Sequence, residues 1–176
     1  MSLLVEDGSV VVGAEAFASV AAFKTYSDNF GFAYAAFTDT QIEVALRLGA
    51  RFMQQSFRLR WKGIRRIATQ ALDWPRAGVS TEPVAYGAHS SWRYIVQPDV
   101  VPVEVSDANI ILAQKALSGT DLFPDATQKA SQETIGPITV KYEQGSAQRV
   151  QFDAVEALLA PFLSSLGGVA VGLVKG

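Results

Sequence analysis

The chain has no cysteine and a single histidine, His89, and these shortages remove most enzyme chemistry before any motif is sought. Without thiols there is no disulfide, no thiolate nucleophile and no cysteine-ligated zinc, and the redox compartment leaves no mark. His89 lies in Gly87-Ala88-His89-Ser90, and no Gly-x-Ser-x-Gly is present, so the usual pairs of nucleophile and base cannot be assembled. It reads as structurally incidental. The phosphate-cradling patterns Gly-x-Gly-x-x-Gly and Gly-x-x-x-x-Gly-Lys-Ser/Thr are also missing. Asp121 and Asp125 are separated by Leu122-Phe123-Pro124, which leaves no carboxylate ladder for calcium. The expectation is therefore a protein that is not an enzyme, with no catalytic, cofactor or metal residues. Apolar runs are only a few residues long, too short to cross a membrane, and Met1-Ser2-Leu3-Leu4-Val5-Glu6-Asp7-Gly8 lacks the basic start of a secretory signal. Cytosol-like conditions are expected.

An excess of positive charge is lacking too. The formal net charge is −2 over 176 residues, which argues against a dedicated nucleic-acid binder and makes any DNA contact local. Apolar residues make up 49% and charged residues 18%, so one core can form with apolar surface left over. A single domain is expected over residues 1–165, followed by a flexible tail over 166–176, where Gly167, Gly168 and Gly172 alternate with Val169, Ala170, Val171, Leu173 and Val174. The concentrated electrostatic feature is Arg58, Arg60, Lys62, Arg65 and Arg66, with Trp61 inside the run and Arg76 nearby. Cations interleaved with an aromatic suit a single strand, by phosphate attraction and base stacking. The same run also reads as a solvated edge, or as a subunit interface with Trp61 as anchor or buried in its own core. Arg58, Arg60, Trp61, Lys62, Arg65 and Arg66 are thus the candidates for an interface or DNA-facing surface.

Local signals predict a mainly α domain, a small bundle of about four helices with a long inter-helix loop and a β-hairpin before the last helix. Ser19 caps a helix over Val20 to Asn29 that stops at Gly31. Thr38 and Gln41 have capping-box spacing and open a second helix to about Phe57. Its stripe of Ile42, Ala45, Leu46, Gly49, Phe52 and Met53 faces the core, while Val44 and Leu48 lie on another side and are candidates for packing against a neighbouring subunit or a loop. A long loop runs to about Pro102 and holds Tyr86, Trp92, Tyr94 and Ile95, which suit packing better than solvation. Ser106 is expected to cap a third helix through Leu117, with Gly119 at its stop. Ile138, Val140 and Tyr142 alternate with polar residues as in a half-buried strand, paired with residues 130–135. Val155, Leu158, Leu159 and Phe162 form a fourth helix that Pro161 ends or kinks.

Several segments, taken in order, resemble a family of tailed-bacteriophage proteins labelled as DnaT-like single-stranded-DNA-binding proteins, encoded among head and neck genes and taken as head–tail connectors. The likeness is carried by Leu4-Val5-Glu6-Asp7-Gly8, Ser19-Val20, Thr38-Asp39, Ala45-Leu46-Arg47 with Ala50, Trp61-Lys62-Gly63, the run from Gln70 to Val79, Val101-Pro102-Val105, Gly136 to Tyr142 and Val155 to Leu163. The most specific segments are Leu72-Asp73-Trp74-Pro75-Arg76-Ala77-Gly78-Val79 and Gly136-Pro137-Ile138-Thr139-Val140-Lys141-Tyr142. The chain departs from the family pattern at Glu15-Ala16-Phe17, where Asn-Ser-Tyr is usual, and in a longer loop over Ser80 to Val100. The resemblance implies a structural virion adaptor, found in the virion neck and in the host cytoplasm during assembly. It would form a homo-oligomeric ring, taken as dodecameric, beneath the portal protein, and would join the capsid to the tail or the next neck protein. Weak contact with passing genomic DNA is allowed, and no membrane is involved. The alternative is a single-stranded-DNA-binding accessory protein of phage replication. The negative net charge and the surplus apolar faces favour the connector.

Overall fold

A computed structural model describes residues 2–81, 95–124, 132–135, 138–141 and 150–164. Four helices carry the fold: α1 (Val20–Phe30), α2 (Asp39–Phe57), α3 (Val103–Leu117) and α4 (Asp153–Leu159), the last running into a 3-10 turn, Ala160–Phe162. Two small antiparallel hairpins accompany them, β1 (Ile64–Arg65) with β2 (Arg76–Ala77), and β3 (Gln132–Ile135) with β4 (Ile138–Lys141). The chain is thus a small, mainly helical domain with a hairpin before its last helix, as the local signals predict. The expectations for Tyr86, His89, Trp92, Tyr94, Asp125, Tyr142 and the 166–176 tail lie outside the described residues.

The helix starts follow from caps that the sequence carries. The Ser19 hydroxyl accepts the Ala22 N–H at 3.1 Å, and Gly31 ends α1 in the left-handed region at φ 75°. At α2, Thr38 Oγ1 accepts the Gln41 N–H at 3.3 Å, and Gln41 Oε1 accepts the Thr38 N–H at 2.8 Å. Two orphan donors of the first turn are satisfied reciprocally. Thr38→Ala is expected to cost about 1 kcal/mol of folding stability, read as a lower urea midpoint. An unchanged midpoint would show that this cap is redundant.

Helix α3 starts earlier than expected. Its N-cap is Pro102, and Ser106 lies inside the helix, its N–H donating to the Pro102 carbonyl at 3.3 Å. The proline ring holds φ at −55° and has no N–H, so a helix can begin directly behind it without a capping hydroxyl. The β1–β2 hairpin gave no sequence signal, because strands of two residues are too short to show alternation.

Helices α2 and α3 form the central pair, brought close by Gly49. A Cβ there would stand 2.8 Å from Asn109 Nδ2 and 2.9 Å from its carbonyl oxygen, so no larger residue fits. Asn109 is fully buried, and both polar atoms of its side chain are bonded. Its Nδ2 donates to the Leu46 carbonyl at 2.9 Å, and its Oδ1 accepts the Phe17 N–H at 2.9 Å, tying the N-terminal segment to both helices. On one side of this seam Phe23 from α1 packs with Ile42, Leu46 and Ile110. On the other side Met53, Phe57, Leu112, Val155 and Leu159 surround Trp61, Trp74 and Val79, so the segment after α2 enters the core and returns to the surface twice.

Candidate nucleic-acid interface

The segment from Arg58 to Val79 is a folded-back platform that displays part of the basic run. Its inner side is aromatic. Trp61 lies edge-on to Phe57 at 5.8 Å and to Trp74 at 5.7 Å, and Trp74 lies edge-on to Phe162 at 5.7 Å. Its loop is closed by buried Gln70, whose Oε1 accepts the Ile67 N–H at 3.0 Å while Nε2 donates to the carbonyls of Leu72 and Pro75 at 2.9 and 3.1 Å. Buried Arg76 joins the two limbs, donating to the carbonyls of Lys62, Gly63 and Asp73 at 2.8, 2.7 and 3.1 Å. Gly63, at φ 65°, lets the limbs meet, since a Cβ there would fall 2.2 Å from the Ala77 carbonyl oxygen. Trp61-Lys62-Gly63 and Gln70 to Val79, which carry part of the family likeness, are therefore one structural unit.

The partners of each cation decide which charges remain available. Lys24 is paired with Asp39 at 2.6 Å, Arg47 with Glu15 at 3.0 Å and Glu43 at 3.5 Å, and Arg60 with Glu156 at 3.3 Å. The neighbours of Arg60 are held differently. Lys62 Nζ donates to the carbonyls of Ser80 and Pro161, Arg65 Nη1 to that of Gln70, and Arg66 Nη1 to that of Gly8. A neutral carbonyl orients a cation without cancelling its charge, so these side chains are fixed and remain attractive to phosphate. Arg58 is 52% exposed and shares one acid, Asp73, with Arg65 and Arg76. The asymmetry extends along the chain: residues 44 to 81 contain eight basic residues and one acid, against seven basic and sixteen acidic residues elsewhere. A chain of negative net charge thus carries one strongly positive region. Leu59 and Ile64 stand among these cations, 98% and 73% exposed.

Two acids that sequence reasoning did not single out hold this region together. The buried Glu6 carboxylate accepts the N–H groups of Gly8, Val10 and Val11 at 2.9, 2.9 and 3.0 Å, shaping the loop whose Gly8 carbonyl receives Arg66. Asp73 is 1% exposed. Arg58 Nε stands 3.3 Å from its Oδ1 as an ion pair, yet neither carboxylate oxygen makes a well-formed hydrogen bond. Burial pushes its carboxyl above the usual range, against the pull of Arg58, Arg76 and Arg65. A carboxyl raised in the folded state binds its proton more tightly there, so this group adds stability as pH falls through the folded value toward the ordinary 3.9 or so. The stability of the wild type relative to Asp73→Asn is expected to rise as pH is lowered from 7 toward the ordinary carboxylate range, read from urea midpoints at a series of pH values. A difference that stays flat would refute it.

The expected site residues separate on these contacts. Arg58, Arg65 and Arg76 gather around Asp73, while Lys62 reaches the carbonyls of Ser80 and Pro161 and Arg66 reaches that of Gly8. Arg60 is turned to Glu156. Trp61 is corrected from a surface anchor to a core residue, since at 6% exposure, enclosed by Phe57 and Trp74, it presents no face to a ligand. Val44 and Leu48 are 49% and 37% exposed and border a groove of about 350 Å³ with Phe37 and Leu117. The carbonyl partners of the cations carry no residue-type signature, so nothing in the sequence marks them.

No curated protein and no solved structure matches the chain. A family model matches residues 1–176, and its description names single-stranded DNA binding with no virion role. This overturns the expectation of a structural head–tail connector and leaves the ring and the portal partner without support. The runner-up reading agrees with the match. With all 176 residues aligned to it, the chain belongs to the family described as "Putative DnaT-like ssDNA binding protein".

Proposed function

We propose that the chain binds single-stranded DNA without sequence preference through the surface formed by Arg58, Lys62, Arg65 and Arg66. The observation that carries this reading is that, among the described residues, Lys62, Arg65 and Arg66 are held on neutral carbonyls and make no direct ion pair, which orients their positive charge without neutralising it. Such a surface meets phosphates with little ordering cost. A single strand is favoured over a duplex because exposed Leu59 and Ile64 stand among the cations. Apolar side chains gain from contact with unpaired bases, which a duplex hides in its stack.

The test is a fluorescence-anisotropy titration of a labelled thymidine oligonucleotide, and of a duplex of the same length, at several salt concentrations. Contact with about four phosphates predicts a log–log salt slope near −3 for the single strand. The expected result is submicromolar single-strand affinity with that slope and weaker duplex binding. Salt-independent binding, or equal affinity for both forms, would overturn the proposal.

A further inference from the structure

A second feature borders the basic surface and has a different character. Between the C-terminal end of α2 and the start of α4 lies a groove of about 360 Å³, with Phe52, Phe57, Leu59, Arg60, Phe152 and Glu156 among its walls. Its floor is aromatic. Phe52 meets Phe152 at 5.2 Å and Phe57 at 6.4 Å between ring centroids, and the Arg60 guanidinium lies 5.6 Å from the centre of the Phe57 ring. Phe152 is partly exposed, while Phe52 and Phe57 are buried behind it. Its polar edge is already balanced in charge, since Arg60 is paired with Glu156 at 3.3 Å. Arg60 Nε nevertheless remains buried without a hydrogen-bond partner.

We infer that this groove takes one unstacked base of the bound strand. The inference deepens the proposed function and rests on it. A flat aromatic ligand gains from the face of Phe152 and from the guanidinium plane of Arg60. Its polar edge finds acceptors on Glu156, which stands in the wall. A neutral base suits the groove better than a phosphate does, because the local charge is cancelled and a carboxylate stands in the wall. Charge complementarity supplies the delivery. Leu59 and Arg60 lie in sequence between Arg58 and Lys62, so a strand whose phosphates sit on those cations passes the mouth of the groove. This also gives Arg60 a task apart from its neighbours, orienting a base where they hold the backbone.

The experiment compares a labelled thymidine oligonucleotide of about twelve nucleotides with an abasic oligonucleotide of equal length and equal phosphate count. One stacked base predicts about ten-fold tighter binding of the thymidine strand by the wild-type chain. Ser56→Trp, which fills the groove from its α2 wall, and Phe152→Leu, which keeps the apolar volume but removes the aromatic face, should each lower this ratio several-fold, toward what contact with Leu59 and Ile64 alone sustains. Two variants are used so that a folding defect in one leaves the other decisive, with circular dichroism confirming the helices of each. A wild-type ratio near one with salt-dependent binding retained overturns the base groove and leaves the phosphate surface standing. A ratio unchanged in both variants places the stacking elsewhere and overturns it as well. Binding of neither oligonucleotide overturns the proposed function and this inference with it.

Discussion

Replacing Arg58, Arg65 and Arg66 together with alanine is expected to weaken single-stranded DNA binding about 100-fold at 0.1 M salt and to flatten the salt slope by about two units. Each phosphate neutralised on a single strand contributes roughly 0.7 to that slope, and the same factor sets its share of the affinity one decade of salt below 1 M. Three contacts thus account for both figures. The variant should remain folded. The Arg65 and Arg66 bonds to carbonyls are only part-buried, and each contributes about 1 kcal/mol. Arg58 adds some cost because buried Asp73 then loses its nearest cation. Binding is therefore measured well below the unfolding transition of the variant. A folded triple variant with wild-type affinity and slope would place the phosphates on another face.

Arg76→Met is expected to destabilise the chain by about 3–5 kcal/mol, the range for removing one partner of a buried charged pair. Arg76 is 6% exposed, and its guanidinium serves the carbonyls of Lys62, Gly63 and Asp73 at once while offsetting the Asp73 carboxylate. Methionine fills the volume but leaves three carbonyls unpaired and a buried acid with less compensation. With a typical urea dependence of about 2 kcal/mol per molar, the midpoint should fall by about 2 M. Arg76→Lys should fall between the two, because a single ammonium cannot span the fork that reaches three acceptors. A loss under about 1 kcal/mol for the methionine variant would show that β1 and β2 hold together without the guanidinium. The unit that Arg76 closes positions the basic surface, so the same substitution should also weaken DNA binding below the unfolding transition.

The sequence by itself determined the features whose causes lie within one turn of chain. Ser19, Gly31, and Thr38 with Gln41 announce the ends of α1 and the start of α2, because a cap joins residues three or four apart. A pairing of residues 130–135 with the strand from Ile138 was legible for the same reason, since alternation is local, and the pairing falls on residues 132–135 and 138–141. The basic run was visible as charge, but its division into neutralised and available cations was not. Glu156 reaches Arg60 across 96 positions, Gly8 receives Arg66 across 58, and Pro161 receives Lys62 across 99. Trp61 could be read as an anchor or as core, and Trp74 and Phe162 place it in the core. A side chain's charge and size are written in its residue type. Whether that charge meets an acid, a carbonyl or solvent depends on which distant backbone folds against it, and this only the tertiary structure decided.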